Sequence, residues 1–292
     1  MKLEVKKPIF VVGVGRSGSS IFHKILCEHP YAAWLSALGD THFDNLALNA
    51  FFMKVIDYPL VGKPLKNKYI PSECYNFWEH HCKGFRRPFR DLGPDDVTNK
   101  TKAKIQNVMA ALLTSKRDRL LLKITGWPRI GFLKEIFEDA KFIHIVRDGR
   151  AVVNSMINVN WWWGWQGPQN WRWGELTEDQ QRLWEKHNKS FLALAGIEWN
   201  ILMAATERAS SYVCDKNFLT IRYEDICTDP IGNFQHVVEF CELDWSREFE
   251  KAIGRHALKN TNYKWQKELT HQQHKMLNAV MDHYLKAYNY TY

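Results

Sequence analysis

Short runs of consecutive apolar residues alternate along this chain with stretches whose apolar positions recur every three or four residues. That alternation predicts βαβ units around a parallel sheet. Residues 9–14 read as a buried strand, followed by a Gly/Ser loop and a helix over 20–28 that Pro30 cannot continue. Residues 120–124 and 142–146 read as further strands, with a helix over 130–137 between them. Asp148 is a natural N-cap for a helix running to about Asn158. Helical spacing then extends over 180–211, carried by Leu183, Phe191, Leu194, Ile197, Ile201 and Leu202. A strand over 218–221 and helices over 231–241 and 270–288 complete the pattern. Residues 31–118 and 159–179 carry no strong period and are expected to be inserted helical or lid segments that bind an acceptor.

With 292 residues, a single domain over 1–292 is the expectation, although the length alone would also allow two. Apolar residues are 45% and charged residues 25% of the chain, which excludes a disordered polymer. No stretch approaches the ~18 apolar residues of a membrane span, and no secretory cleavage site follows the N-terminal apolar run. A soluble protein is expected. Six cysteines (27, 74, 82, 214, 227, 241) form no CxxC pair, which fits reduced thiols in a cytoplasmic interior. Forty basic against thirty-two acidic side chains leave +8, an excess that favours an anionic ligand or simply a basic surface. Six of the thirteen tryptophans fall in WWWGWQGPQNWRW, residues 161–173. Flat rings there suit stacking on a sugar or an aromatic acceptor; packing of a lid against the helix after residue 180 explains them equally well.

The sharpest chemistry lies in GVGRSGSS, residues 13–20, between a strand and a helix. Such a loop aims several backbone N–H groups and a positive helix end at one point, the usual arrangement for phosphate. Gly13, Gly15 and Gly18 allow close approach, while Ser17, Ser19 and Ser20 add hydroxyls. A nucleotide hydrolase loop, GxxxxGK[ST], would place lysine where Ser19 stands; here the cation is Arg16. Further on, KFIHIVRDGRAVVNSMI puts Arg147 at the end of a strand and Ser155 about two turns down the next helix. Arg147 could grip a second phosphate or simply pair with Asp148. Taken with the first loop, it suggests a nucleotide phosphorylated in two places.

GVGRSGSS, IVRDGRAVVNSM and LTIRYEDICTDP, in that order, resemble the sulfotransferase family that uses 3′-phosphoadenosine 5′-phosphosulfate (PAPS). The likeness covers about residues 8–30, 119–158 and 217–243, and extends weakly to Asn262, Lys264, Trp265 and Leu269. The arginine-containing loop is more similar to the carbohydrate and tyrosyl-protein branch than to the cytosolic steroid and phenol branch. The resemblance implies an α/β fold of P-loop type and transfer of a sulfuryl group, by in-line displacement, to a hydroxyl of a carbohydrate, lipid or other small acceptor. It implies no metal, no nucleic-acid partner and no membrane span.

Carried over by motif, Arg16, Ser17, Gly18, Ser19 and Ser20 would hold the 5′-phosphosulfate, and Arg147 and Ser155 the 3′-phosphate. Tyr223 would touch the adenosine and Glu224 would brace the backbone. From the basic tail, Lys264 is the 3′-phosphate candidate, beside Arg255 and Lys259. Lys123 would polarise the sulfate or act merely as a capping cation. The cytosolic branch's histidine after that lysine is replaced by Thr125 and Gly126, and the tyrosyl-protein branch's glutamate by the stretch 36–38. The base is therefore sought among Asp40, His42, Glu73, His80 and His81. Glu73 is preferred, as an acid that its Pro-Ser and aromatic surroundings could bury, although it reads equally as an acid at a helix N-terminus that interacts only with the helix dipole. A zinc site at Cys74, His80, His81 and Cys82 is disfavoured by their spacing. Two other functions fit parts of the sequence: a basic, aromatic-rich module for nucleic acid or acidic glycan, and a P-loop small-molecule kinase.

Overall fold

The computed structural model describes residues 3–290. Five strands, β1 (Ile9–Gly13), β2 (Ala32–Ala33), β3 (Arg119–Thr125), β4 (Lys141–Val146) and β5 (Phe218–Arg222), form one sheet in the order β2-β3-β1-β4-β5. Every pairing is parallel. β1 and β4 are buried at every residue, as strands covered by helices on both faces must be. The periodicity located four of the strands to within about a residue. It missed β2, a two-residue edge strand in the segment 31–118 that is too short to carry a period.

Topology places the site. The chain leaving β1 travels to the β2 side of the sheet, and the chain leaving β4 travels to β5 on the other side. Loops that diverge from adjacent strands open a crevice at the strands' carboxyl ends. The register sharpens this: Gly13 lies beside Thr125, and Val12 beside His144. The Gly/Ser loop, the end of β3 and Arg147 after β4 therefore emerge at one edge.

Two hydrophobic clusters sandwich the sheet. One joins the strands to the helices Ser19–Leu26, Asn99–Ala110, Ile130–Ile136 and Pro230–Phe240. The other packs the long helix Phe191–Ser210 against His271–Ala287 and Gly149–Met156. The sequence predicted one helix over 180–211; the structure breaks it into Glu178–Lys186 and Phe191–Ser210. Asn188 and Lys189 take left-handed backbone conformations at φ 54 and 51, and the Ser190 side chain caps the second helix by accepting from Ala193 N–H. Left-handed residues cannot propagate a right-handed helix. Among the described residues, no helix is long and apolar enough to cross a membrane.

The segment 31–118 is fastened to the sheet edge by one buried cation. Arg117 donates to both carboxylate oxygens of Asp57 at 3.0 and 2.7 Å and to the carbonyls of His29 and Ala32 at 3.3 and 2.7 Å. Its side chain is 2% exposed, so its loss takes the two-pronged partner from a half-buried carboxylate and a buried donor from each of two carbonyls. Arg117→Ala should cost about 3 kcal/mol in urea unfolding. Lys116→Ala, removing an exposed contact to the same Asp57 at 3.6 Å, should cost under about 1 kcal/mol.

Candidate active site

Between Val14 and the first helical turn the backbone winds through two left-handed residues, Arg16 at φ 71 and Gly18 at φ 88. Gly18 caps the helix Ser19–Leu26, with no side-chain hydrogen bond at the cap and no acid in the first turn. The first N–H groups of that helix thus have no side-chain acceptor, the condition that favours an anion there. Gly18 is also needed for space: a Cβ would sit 2.2 Å from the Tyr223 ring. The ring of Tyr223 lies against the loop, with the Arg147 guanidinium 5.0 Å from its centroid.

The two anion motifs meet. Arg147 donates through Nη1 to the Arg16 carbonyl at 3.1 Å, and Arg16 Nε donates to Ser155 Oγ at 2.9 Å. Arg147 also donates to Asn262 Oδ1 at 2.8 Å and to Thr261 Oγ1 at 3.0 Å. These contacts engage three of its five N–H donors. The alternative pairing of Arg147 with Asp148 does not form. Arg150 takes that carboxylate instead in a two-pronged contact at 3.0 and 2.8 Å, while Asp148 caps its own helix through Arg150 N–H. Glu224 accepts from Asp148 N–H at 3.0 Å and Tyr290 Oη at 2.9 Å, and from Asn262 Nδ2. It braces the strand end and the tail together. Of the basic tail candidates, Arg255 turns to Glu28 at 3.6 Å, Lys259 offers its carbonyl to Tyr223 Oη, and Lys264 is exposed on the helix Tyr263–Glu268. Asn262, to which the family likeness weakly extends, and Thr261, which nothing in the sequence singles out, do reach Arg147.

Beside the loop lies a cavity of about 550 Å³ lined by Arg16, Ser19, Ser20, Glu73 and Lys123, among others. Lys123 is buried at 7% exposure. It donates to Ser20 Oγ at 2.6 Å and pairs with Glu73 at 3.2 Å. Thr125 Oγ1 donates to Glu73 Oε1 at 2.6 Å. Tyr75 Oη donates to the Thr125 carbonyl and accepts from the Thr125 N–H, extending the end of β3 by one side chain. Glu73 is therefore fixed by a cation and a hydroxyl, not by burial among aromatics.

Asp40 also lines the cavity, with its carboxylate accepting from Asn76 N–H at 2.9 Å. The structure does not bring His42, His80 or His81 to the cavity lining. His42 hydrogen-bonds Thr41, and burial with neighbouring His80 holds His81 down to about 4. Cys74 donates its thiol to the Ser36 carbonyl at 3.0 Å. His23 and His144 are buried, with pKa values held down to about 3 and about 4 chiefly by desolvation.

The tryptophan segment is divided between core and surface. Trp162, Trp171 and Trp173 are buried, while Trp161, Trp163 and Trp165 are 42–58% exposed; Trp161 and Trp163 face the cavity. The buried Trp162 donates its indole N–H to Glu198 at 2.7 Å. Glu198, on the long helix and 2% exposed, also reaches the cavity. Sequence reasoning passed over it, yet the signal was there. It stands four residues from both Leu194 and Leu202, an acid on an apolar stripe. Burial pushes its pKa up to about 7, opposed by hydrogen bonds from Trp162 and Trp173 and by the charge of Arg172.

A model of the sulfotransferase family matches residues 8–247. Curated relatives include omega-hydroxy-beta-dihydromenaquinone-9 sulfotransferase Stf3 of Mycobacterium tuberculosis, 20% identical over 97% of this chain and 75% of that protein. Protein-tyrosine sulfotransferase A of Caenorhabditis elegans is 25% identical over 42% of this chain and only 28% of its own length. Among solved structures, sulfotransferase STF9 from Mycobacterium avium superposes with a TM-score of 0.60 at 19% identity, over 97% of this chain and 77% of that one.

Glu198 makes stability depend on pH in a defined direction. Its folded pKa is raised, so the folded state favours the protonated form. Stability should fall as the pH rises from the ordinary carboxyl range, about 4.3, through about 7, by up to roughly 3 kcal/mol. Glu198→Gln should flatten that slope and be the more stable protein at pH 8. Thermal unfolding of both proteins from pH 5 to 8 checks this, and parallel profiles would refute it.

Proposed function

Because this chain belongs to the sulfotransferase family, we propose that it uses PAPS as the donor and transfers its sulfuryl group to a hydroxyl of a small-molecule or carbohydrate acceptor. One observation carries the donor assignment: the Arg147 guanidinium donates to the carbonyl of Arg16. The uncapped loop, suited to one phosphate, is thus in direct contact with a guanidinium whose two uncommitted donors suit the other. The loop fits a cluster of anionic oxygens on its own terms. The hydroxyl of Ser17 is buried without a partner among the described residues, and Arg16 holds a left-handed backbone that turns successive N–H groups inward. Tyr223, against Gly18 and under the Arg147 guanidinium, stands between the two anion groups, where its ring would border an adenosine.

PAPS supplies the activated sulfuryl group and a phosphate leaving group; catalysis then consists of positioning, charge stabilisation and proton removal. Lys123 and Ser20, joined at 2.6 Å, stand at the junction of loop and cavity. There a cation and a hydroxyl can neutralise charge on the departing oxygen. Glu73 accepts the acceptor's hydroxyl proton as the oxygen–sulfur bond forms and the sulfur–phosphate oxygen bond breaks. Its bonds to Lys123 and Thr125 orient the carboxylate for that step. Nothing in this chemistry calls for a metal. The family match favours sulfuryl transfer over the kinase and nucleic-acid readings.

Arg147→Ala should weaken binding of adenosine 3′,5′-bisphosphate roughly 10- to 100-fold, the value of a charge-assisted hydrogen bond, with little change for AMP. Calorimetric titration measures both, and an unchanged preference for the bisphosphate would refute the assignment. Glu73→Gln should lower kcat by about 10²-fold or more while leaving bisphosphate affinity within about threefold. Transfer of labelled sulfate from PAPS across an acceptor panel provides the rate.

A further inference from the structure

The cavity holds more positive charge than the donor needs. Beyond the loop, Arg86, Arg87 and Arg172 line it. Arg87 lies 4.5 Å over the Trp163 ring and Arg172 4.5 Å over the Trp173 ring. Arg86 is held by Asn76 Oδ1 at 2.7 Å. None of the three takes part in a salt bridge among the described residues.

The carboxylates facing the same cavity are already engaged. Glu73 is held by Lys123 and Thr125, Asp40 by Asn76 N–H, and Glu198 by the Trp162 indole. Arg172 is near enough to Glu198 to act on its charge yet forms no ion pair with it. Three guanidiniums, two of them laid flat on indoles, are thus left facing the acceptor space.

An indole under a guanidinium holds the planar fork in place without consuming its hydrogen-bond donors. The forks stand next to the exposed rings of Trp161 and Trp163, the natural platform for a flat or ring-shaped ligand. A neutral ligand filling this space would strip water from the arginines and return at best hydrogen bonds to uncharged acceptors. An anionic one would replace that water with charge-assisted hydrogen bonds. The site thereby selects against neutral acceptors as much as it selects for charged ones.

We propose that the acceptor is an acidic ring compound, a sugar ring bearing a carboxylate or sulfate, whose anion is gripped by Arg86, Arg87 and Arg172 while its hydroxyl faces Glu73. This rests on the sulfotransferase reading for the role of the cavity, and its test separates the two. The probes are 4-nitrophenyl β-D-glucuronide and 4-nitrophenyl β-D-glucoside, which differ in one carboxylate. Each is titrated calorimetrically into the protein with and without saturating adenosine 3′,5′-bisphosphate, whose own affinity is measured first.

The glucuronide should bind about tenfold or more tightly than the glucoside at low salt, and the gap should narrow as salt rises. Arg87→Gln and Arg172→Gln should each cut the preference several-fold, and the double variant should abolish it. Both should leave bisphosphate affinity unchanged, which also certifies that the variants fold. Equal affinity for the two glycosides, binding of neither, or a preference that survives in the double variant would overturn the proposal. Loss of bisphosphate binding by the unaltered protein would instead strike the donor assignment, and the titrations without nucleotide would still judge the acceptor site.

Discussion

The contact between Arg147 and the Arg16 carbonyl exists only because β1 and β4 are parallel neighbours, so that the loops leaving both begin at the same edge of the sheet. Everything else at the site is arranged around that shared edge. Asp148 is taken by Arg150, which keeps a carboxylate from neutralising Arg147. Glu224 draws the tail against the strand end through Asn262 and Tyr290, and the tail in turn places Thr261 and Asn262 on the guanidinium. A cation buried in this way would be costly if isolated. Here it is surrounded by neutral oxygens and an aromatic face that hold it without cancelling its charge.

In the cavity beside the loop the same economy of charge recurs with the same signs. The cavity's carboxylates are tied up one by one, and two of its arginines, Arg87 and Arg172, lie over indoles instead of being paired. The tryptophan segment makes this possible because half its rings are buried as anchors and half are exposed as surface. Trp162 binds Glu198 in the long helix, and Trp127 Nε1 donates to the carbonyls of both Pro88 and Arg172. That indole ties the two segments without a helical or strand period, 31–118 and 159–179, into one wall.

The strands, the phosphate loop and the strand-end arginine were legible in the residues themselves. Their signals are local: a run of apolar side chains, glycines where the backbone must turn, an arginine at a fixed offset. β2 was not legible, since two alanines carry no pattern. The break at 187–190 was hidden because the apolar spacing continues across it, while the residues that end the helix are an Asn-Lys pair with no proline or glycine to mark them. Glu73 was singled out among five base candidates, but the expected surroundings were wrong in kind. It is fixed by Lys123 and Thr125, partners about fifty residues away in the chain.

What the sequence determined by itself was most of the sheet, the glycine-serine loop and the arginine that follows a strand, because hydrogen bonding and steric freedom along the backbone are decided over a few residues. What only the tertiary structure decided was which charges remain free. Arg87 and Arg172 look in sequence like any other arginines near aromatics, and even Arg147, marked by its strand end, could have been paired with Asp148. Whether such a cation is neutralised depends on a Coulomb interaction that falls off with distance in space, and folding sets that distance between residues far apart in the chain.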